Sequence, residues 1–438
     1  MTDSASEVLR FVKEQDVKFI RMTFCDLFGM QKNIAVMASE LPQVFESGML
    51  FDASAVAGLA GVEHSDLFLM PDSQTVSILP WRPEHERVMR IFCSMKNPDG
   101  TDFAGDSRNI LKQAVQRSAE MGYLCRIGAE CEFYLFKTDS EGRPTREPLD
   151  HGSYADLAPL DLAEDIRREI CLTLEEMDLR PEKSHHEQGP GQNEVDFRYA
   201  DPLSAADNLM TFKTVVRTIA ARHGLFASFL PKPMFKECGN GMHINLSLIQ
   251  GGRNLFETGN SHCANAESFL AGILGRTAEM TAFLNPLVNS YERLGRQEAP
   301  RYISWSHQNR SQLIRIPASS GESNRMELRS PDPACNPYLA FALLLHAGLD
   351  GIENGEKLPE PCNLNLYEPG VAQSLGIETL PDSLEQAIQT AEESEWIRKN
   401  LPASVLEQYF GRKKRECARI SGAADSFEEQ LRMYFNVI

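Results

Sequence analysis

Four short stretches of this chain set ionisable side chains at alternate positions between apolar ones, a pattern that suits an extended strand with two unlike faces. In GAECEFYLF, residues 128–136, Ala129, Cys131, Phe133 and Leu135 share one face, while Glu130 and Glu132 share the other, roughly 7 Å apart. An isolated pair of acids like this is ordinarily a solvated sheet face. Here the pattern recurs. GMHINLSL (241–248) sets His243, Asn245 and Ser247 against Met242, Ile244, Leu246 and Leu248, and RMELRS (325–330) sets Arg325, Glu327 and Arg329 against Met326 and Leu328. In HHEQGPGQNEVDF (185–197), Glu187 precedes a Gly-Pro-Gly turn and Glu194 begins the next alternating run, so the turn can bring both acids to one place. Joined in one sheet, these strands make the wall of an active-site funnel.

Five carboxylates (Glu130, Glu132, Glu187, Glu194, Glu327) and one imidazole (His243) form a mostly oxygen donor set, which suits Mg²⁺ or Mn²⁺ rather than zinc and has room for two ions. A second anomaly follows. Between Arg293 and Arg329 stand seven arginines in 37 residues (293, 296, 301, 310, 315, 325 and 329) and no lysine. Planar guanidinium forks suit carboxylate and phosphate recognition better than mere solvation. Divalent cations beside arginines form the electrostatic clamp of phosphoryl transfer. There is no GxxxxGK[ST] loop and no GxGxxG after a strand, so a nucleotide has to be held mainly by metals and arginine. Taken alone, these residues indicate metal-dependent phosphoryl chemistry and no more.

A chain of 438 residues is longer than one core usually grows, which points to two domains. With 62 acids against 44 lysines and arginines, a formal charge of -18 repels nucleic acid and anionic membrane, so neither is an expected partner. Ten cysteines lie scattered without a CxxC pair, most in apolar runs, as in a reduced cytoplasmic protein. No apolar run reaches the roughly 18 residues of a membrane span, and no secretory leader is evident.

In chain order, a short amphipathic helix over 5–15 precedes strands at KFIRMTF, KNIAVM, VSILP and VMRIFCSM, a small β-rich N-terminal domain. Asp52 falls in a Gly/Ala-rich loop, FDASAVAG. The turn cluster NPDGTDFAGD (97–106) marks the boundary, giving domains of 1–103 and 104–438. Helices are expected from Asp106 to Gly122, 161–177, 204–223, 264–284 and through NPYLAFALLLHAGLDGI, with further amphipathic helices at the C-terminal end. Because turns as well as helices join the ligand-bearing strands, the class is α+β, with a mixed sheet curled into a partial barrel.

The motifs GAECEFYLF, SHHEQGPGQNEVDF, KPMFKECGNGMHINLSL, NSYERLGRQEAP, NRSQLIRIP and RMELRSPDPACNPYLAF, with KFIRMTFCDLFG and MLFDASAVAG near the start, stand in the order of the glutamine synthetases. The chain resembles the bacterial type I members nearly end to end. The resemblance implies a β-grasp N-terminal domain, a catalytic domain with a funnel of antiparallel strands, and a homo-oligomer, a dodecamer of two hexameric rings. It implies a ligase that uses ATP to form γ-glutamyl phosphate from L-glutamate and lets ammonia displace phosphate. By motif position, Glu132, Glu187 and Glu194 match ligands of one metal, and Glu130, His243 and Glu327 those of a metal bridging the ATP phosphates. Arg293 matches the α-carboxylate contact, Arg329 the γ-carboxylate contact, and Gly239 a backbone contact to glutamate. Arg310 and Arg315 match phosphate-binding positions, and Glu182, Ser247 and Arg325 positions near the nucleotide. Asp52, from a neighbouring subunit, and Tyr154 would line the ammonium pocket, with Glu298 as the flap carboxylate.

The chain departs from the family pattern at three places. CGNGMH replaces NGSGMH, placing Cys238 where an amide is expected. FDASA replaces FDGSS, placing Ala53 and Ala55 where a glycine and a hydroxyl are expected. The flap RLGRQEAP is one residue shorter than usual. All three fall on the amino-acid and amine pockets and none on the metals. A γ-glutamyl ligase for another amine and a catalytically silent ring remain as alternatives, although the retained ligands and phosphate arginines argue against the silent ring.

Overall fold

The computed structural model describes residues 3–257 and 263–438. After a helix over Asp3–Glu14, strands β1 (Val17–Cys25), β2 (Gln31–Met37), β3 (Met49–Asp52), β4 (Asp66–Pro71), β5 (Ser77–Ile78) and β6 (Arg87–Lys96) form the first sheet. Its order is β2-β1-β6-β4-β3, with β5 also on β6. Only β1 and β6 pair in parallel; the other pairs are antiparallel. Four of these strands fall where alternation predicts them, but β3 and β4 were not expected. Asp52 is therefore the last residue of a strand, not a loop tip. It faces Asp66 across the ladder and caps the turn that follows through a hydrogen bond from the Ser54 N–H.

The second sheet contains β7 (Leu124–Thr138), β8 (Pro144–Pro148), β9 (Pro181–His186), β10 (Gln192–Phe197), β11 (Leu225–Ser228), β12 (Met242–Gln250), β13 (Arg253–Asn254), β14 (Trp305–His307), β15 (Ile314–Ile316) and β16 (Met326–Leu328). Its main order is β14-β15-β16-β12-β7-β10-β9, antiparallel except for β14 with β15, and it curls into a half-barrel. The alternating stretches lie at its centre. Ala129, Cys131, Phe133, Met242, Ile244, Leu246, Met326 and Leu328 all enter one buried core with helices Ser107–Glu120, Glu164–Glu176, Pro202–Arg222, Ala264–Leu284 and Pro337–Asn354. The helix expected to begin at Asp161 starts three residues later, because the Asp161 side chain is engaged by Arg167 and the Ala163 N–H.

Asp106 caps the Ser107–Glu120 helix as expected, by accepting from the Arg108 N–H. Arg108 then ties the two sheets together, pairing with Asp72 at 2.9 Å and with Asp207 of the Pro202–Arg222 helix at 2.8 Å. This buried clamp holds the N-terminal sheet against the helices behind the half-barrel. Among the described residues, no helix is long and apolar enough to cross a membrane.

Candidate active site

Three rows of side chains cross the polar face of the half-barrel, since residues opposite each other on neighbouring strands point the same way. The first row is His185, Glu194 and Glu132 on β9, β10 and β7. The second is Lys183, Asp196, Glu130 and His243 on β9, β10, β7 and β12. The third is Gly128, Asn245, Glu327 and Arg315 on β7, β12, β16 and β15. Register alone thus gathers acids that are far apart in sequence.

Ligand atoms of Glu130, His243 and Glu327 lie within 4.8 Å of one another, as expected; those of Glu187 and Glu194 group with His185, and Glu132, expected as their partner, stands beside this group rather than in it. His243 Nδ1 is 3.3 Å from Glu130 and 3.6 Å from Glu327. Glu132 accepts from the Gly241 N–H at 2.8 Å and from Gln192 at 2.9 Å. Burial and the adjacent charge of Glu187 push the Glu132 carboxyl up to about 8, and burial with Asp196 and Glu132 pushes Glu194 up as well. The neighbouring cations do not offset this crowding of acids, and the oxygen-rich donor set fits Mg²⁺ or Mn²⁺.

Asp150, Asp161 and His186 form a third such group, but its members are occupied with structural contacts. Asp150 accepts from the N–H groups of Gly191 (2.8 Å) and Leu162 (2.9 Å) and lies 2.9 Å from His186 Nε2, so it braces the turn between Glu187 and Glu194. Asp150→Ala leaves these buried donors unpaired and is expected to cost about 3 kcal/mol of stability. A denaturant midpoint equal to wild type would contradict this. Burial opposes the Asp150 charge, yet His186 and the Leu162 N–H hold its pKa down to about 2. The stabilisation is therefore present above the ordinary carboxylate value of about 4 and is lost as pH falls toward 2.

Apart from Glu327, the members of both candidate metal groups open into a cavity of about 310 Å³, lined also by Glu132, Tyr154, Gly239, Arg293, Glu298, Arg310 and Arg329. Arg293 is buried and donates to the carbonyls of Ser330 (2.8 Å) and Pro331 (3.3 Å), with no ion-paired acid among the described residues. A buried cation held by carbonyls is poised to receive an anion. Gly239 and Gly241 let the backbone pass close to it. A Cβ on Gly239 would sit 2.5 Å from the Pro231 carbonyl, and one on Gly241 would sit 2.6 Å from Arg293 Nη2. Arg329 is buried against Glu327, whose other oxygen accepts from Arg315 at 2.5 Å.

The flap carries strain. Gln297 and Glu298 have φ of 41° and 64°, left-handed values that cost a non-glycine residue about 1–2 kcal/mol each. Side chains hold it in place: Lys232 donates to Gln297 at 2.8 Å, and Gln188 donates to Glu298 at 3.2 Å. The Cys238 thiol lies 3.6 Å from Gln188 Oε1, so the departure at Cys238 and the flap meet at one glutamine. Arg310 is 4.0 Å from Glu298.

A second cleft, of about 120 Å³, adjoins the cavity and is lined by Glu182, Ser247 and Arg325, with Arg325 donating to Asn245 at 2.8 Å. Three anticipated residues line neither space: Glu327 lies behind the cavity wall between Arg315 and Arg329, and the other two are Arg315 and Asp52. Arg315 is committed to Glu327, and Asp52 sits exposed on the N-terminal sheet of its own chain, its carboxylate accepting from the Ser54 hydroxyl at 2.6 Å. Of the seven arginines, Arg296 stacks over Phe235 and Arg301 pairs with Asp382, away from the cavity. His185, Gln188, Gln192 and Lys183 also line the cavity but were not anticipated. The clue to His185 and Lys183 was the alternation with Glu187 through KSHHE, which continues the charged face into β9.

Comparison with known proteins matches residues 16–98 to the glutamine synthetase beta-Grasp domain and residues 104–432 to the glutamine synthetase catalytic domain. A glutamine synthetase of Methanosarcina mazei is 47% identical over 416 residues, covering 94% of this chain and 93% of its own. One from Staphylococcus aureus is 45% identical over 422 residues, covering 95% of each. The solved structure "GmaS/ADP complex-Conformation 1" superposes with a TM-score of 0.87 at 32% identity, covering 100% of both chains.

Proposed function

Because the chain belongs to the glutamine synthetase family, we propose that its cavity joins ammonia to the γ-carboxylate of L-glutamate through γ-glutamyl phosphate, driven by ATP. The observation that carries ammonia as the acceptor is the lining itself: not one aliphatic side chain of the described residues faces the cavity. A small charged acceptor is favoured by such walls, whereas an alkyl group would be left against carboxylates and guanidinium groups.

In this reading the nucleotide enters the second cleft beside Glu182, Ser247 and Arg325, with its phosphates pointing toward Arg310 and, behind Glu327, Arg315. Arg293 holds the α-carboxylate of glutamate and Arg329 its γ-carboxylate, next to the Gly239 backbone. Glu132, Glu187 and Glu194 would hold one divalent cation and Glu130, His243 and Glu327 another. Cations bound there supply the charge stabilisation that phosphoryl transfer requires. A γ-carboxylate oxygen attacks the terminal phosphorus and ADP departs; ammonia then attacks the acyl carbon and phosphate departs. Asp52 of a neighbouring subunit takes the proton from ammonium, Tyr154 and Glu187 line its pocket, and Glu298 closes the flap against water. This sharing requires an oligomer, for which we propose the family's dodecamer.

An ADP-release assay with glutamate, ATP and Mg²⁺ tests the reading. Release should depend on ammonium, and glutamine should be the product. Half-saturation should lie high for glutamate, because Cys238 faces Gln188 with a thiol in place of an amide. ADP release that ignores glutamate would contradict the reading.

A further inference from the structure

Among the described residues, only Glu130 and Lys183 line both the cavity and the nucleotide cleft. Glu130 belongs to a candidate metal group; Lys183 has no role in the scheme above. Lys183 begins the second cross-strand row, opposite Asp196, which in turn lies opposite Glu130. Its ammonium contacts the Asp196 carboxylate and lies 3.8 Å from Glu194 Oε1, yet the side chain remains 62% exposed. Asp196 is buried, and neither of its oxygens takes a well-formed hydrogen bond. The lysine is thus a cation tethered by carboxylates at the passage between two compartments, with its charged end free to turn.

A phosphate chain running from cleft to cavity passes the row Lys183, Asp196 and Glu130, whose two outer members line both spaces. We propose that Lys183 is a positioning residue for the phosphates of the nucleotide, a built-in monovalent counter-charge that leaves Asp196 for a phosphate oxygen when nucleotide enters. This rests on the reading of the cleft as the nucleotide site. A four-carbon stem with a compact ammonium suits such a switch of partners, since it can turn without repacking the strand.

Calorimetric titration with ADP and with AMP, both in Mg²⁺, separates this role from a structural one. Lys183→Met should weaken ADP roughly 10- to 100-fold, the worth of one charge-assisted contact, and AMP by less than about threefold. Lys183→Arg should retain most of the ADP affinity. Lys183→Met/Asp196→Asn removes both charges, so it should fold as wild type and still bind ADP weakly. Unchanged ADP binding in Lys183→Met, an equal loss for AMP, or recovery of ADP binding in the double variant would each overturn the proposal. Wild-type protein that binds no ADP would overturn the nucleotide reading, and the lysine's role with it.

Discussion

Glu132→Ala is expected to lower turnover at least about 10³-fold, or about 4 kcal/mol in the barrier, while the protein stays folded. The side chain lies between the Gly241 N–H, Gln192 and the charge of Glu187, where burial and that charge raise its pKa to about 8. Removing it leaves those two donors unpaired but also takes away an acid whose charge burial and Glu187 disfavour, so the two effects on stability oppose each other. What disappears is one carboxylate of a site that has to neutralise a divalent cation. Wild-type protein should gain thermal stability on addition of Mn²⁺ through binding to the folded state, and the variant should gain less. Full activity in the variant, or an equal Mn²⁺ shift, would count against a metal at Glu132.

Asp52→Ala should lose roughly 10²- to 10⁴-fold in turnover, the usual worth of a general base, while glutamate and ADP still bind. In its own chain Asp52 lies on the N-terminal sheet and lines neither space, so the proposed role requires that it reach the site of another subunit. Complementation tests this. In the proposed oligomer, Glu132→Ala and Asp52→Ala chains, each expected to be inactive alone, should assemble into mixed rings when coexpressed in equal amounts. If each site takes Asp52 from one chain and Glu132 from its neighbour, about a quarter of the sites become wild type. Mixed oligomers with no recovered activity would place Asp52 outside the site.

The half-barrel was legible in the sequence because period-two alternation fixes both the strand and its face. Glu130, Glu132, His243 and Glu327 could be placed on one wall from residue order, and the ladder pairings agree. Strands β3 and β4 were not legible. Met49–Asp52 is only four residues long, and Asp66–Pro71 reads as an apolar run ending in a proline; pairing with each other and with β6 makes them strands. The arginine-rich stretch signalled anion chemistry but not its distribution. Arg293 and Arg329 reach the cavity, whereas Arg301 turns away to Asp382, a partner 81 residues on that no local pattern reveals. Gln188 escapes notice for the same reason, since its contact is with Glu298, 110 residues on, whereas the KSHHE alternation marks Lys183 but not its pairing with Asp196.

Competition measures directly whether this polar cavity selects ammonia as the acceptor. With glutamate, ATP and Mg²⁺ present, equal concentrations of ammonium and a primary alkylamine compete at one pH for the same γ-glutamyl phosphate. The ratio of the two amide products by mass spectrometry equals the ratio of their kcat/KM values. Glutamine is expected in excess. An excess of the γ-glutamyl alkylamide would contradict this and assign the chain to amine ligation.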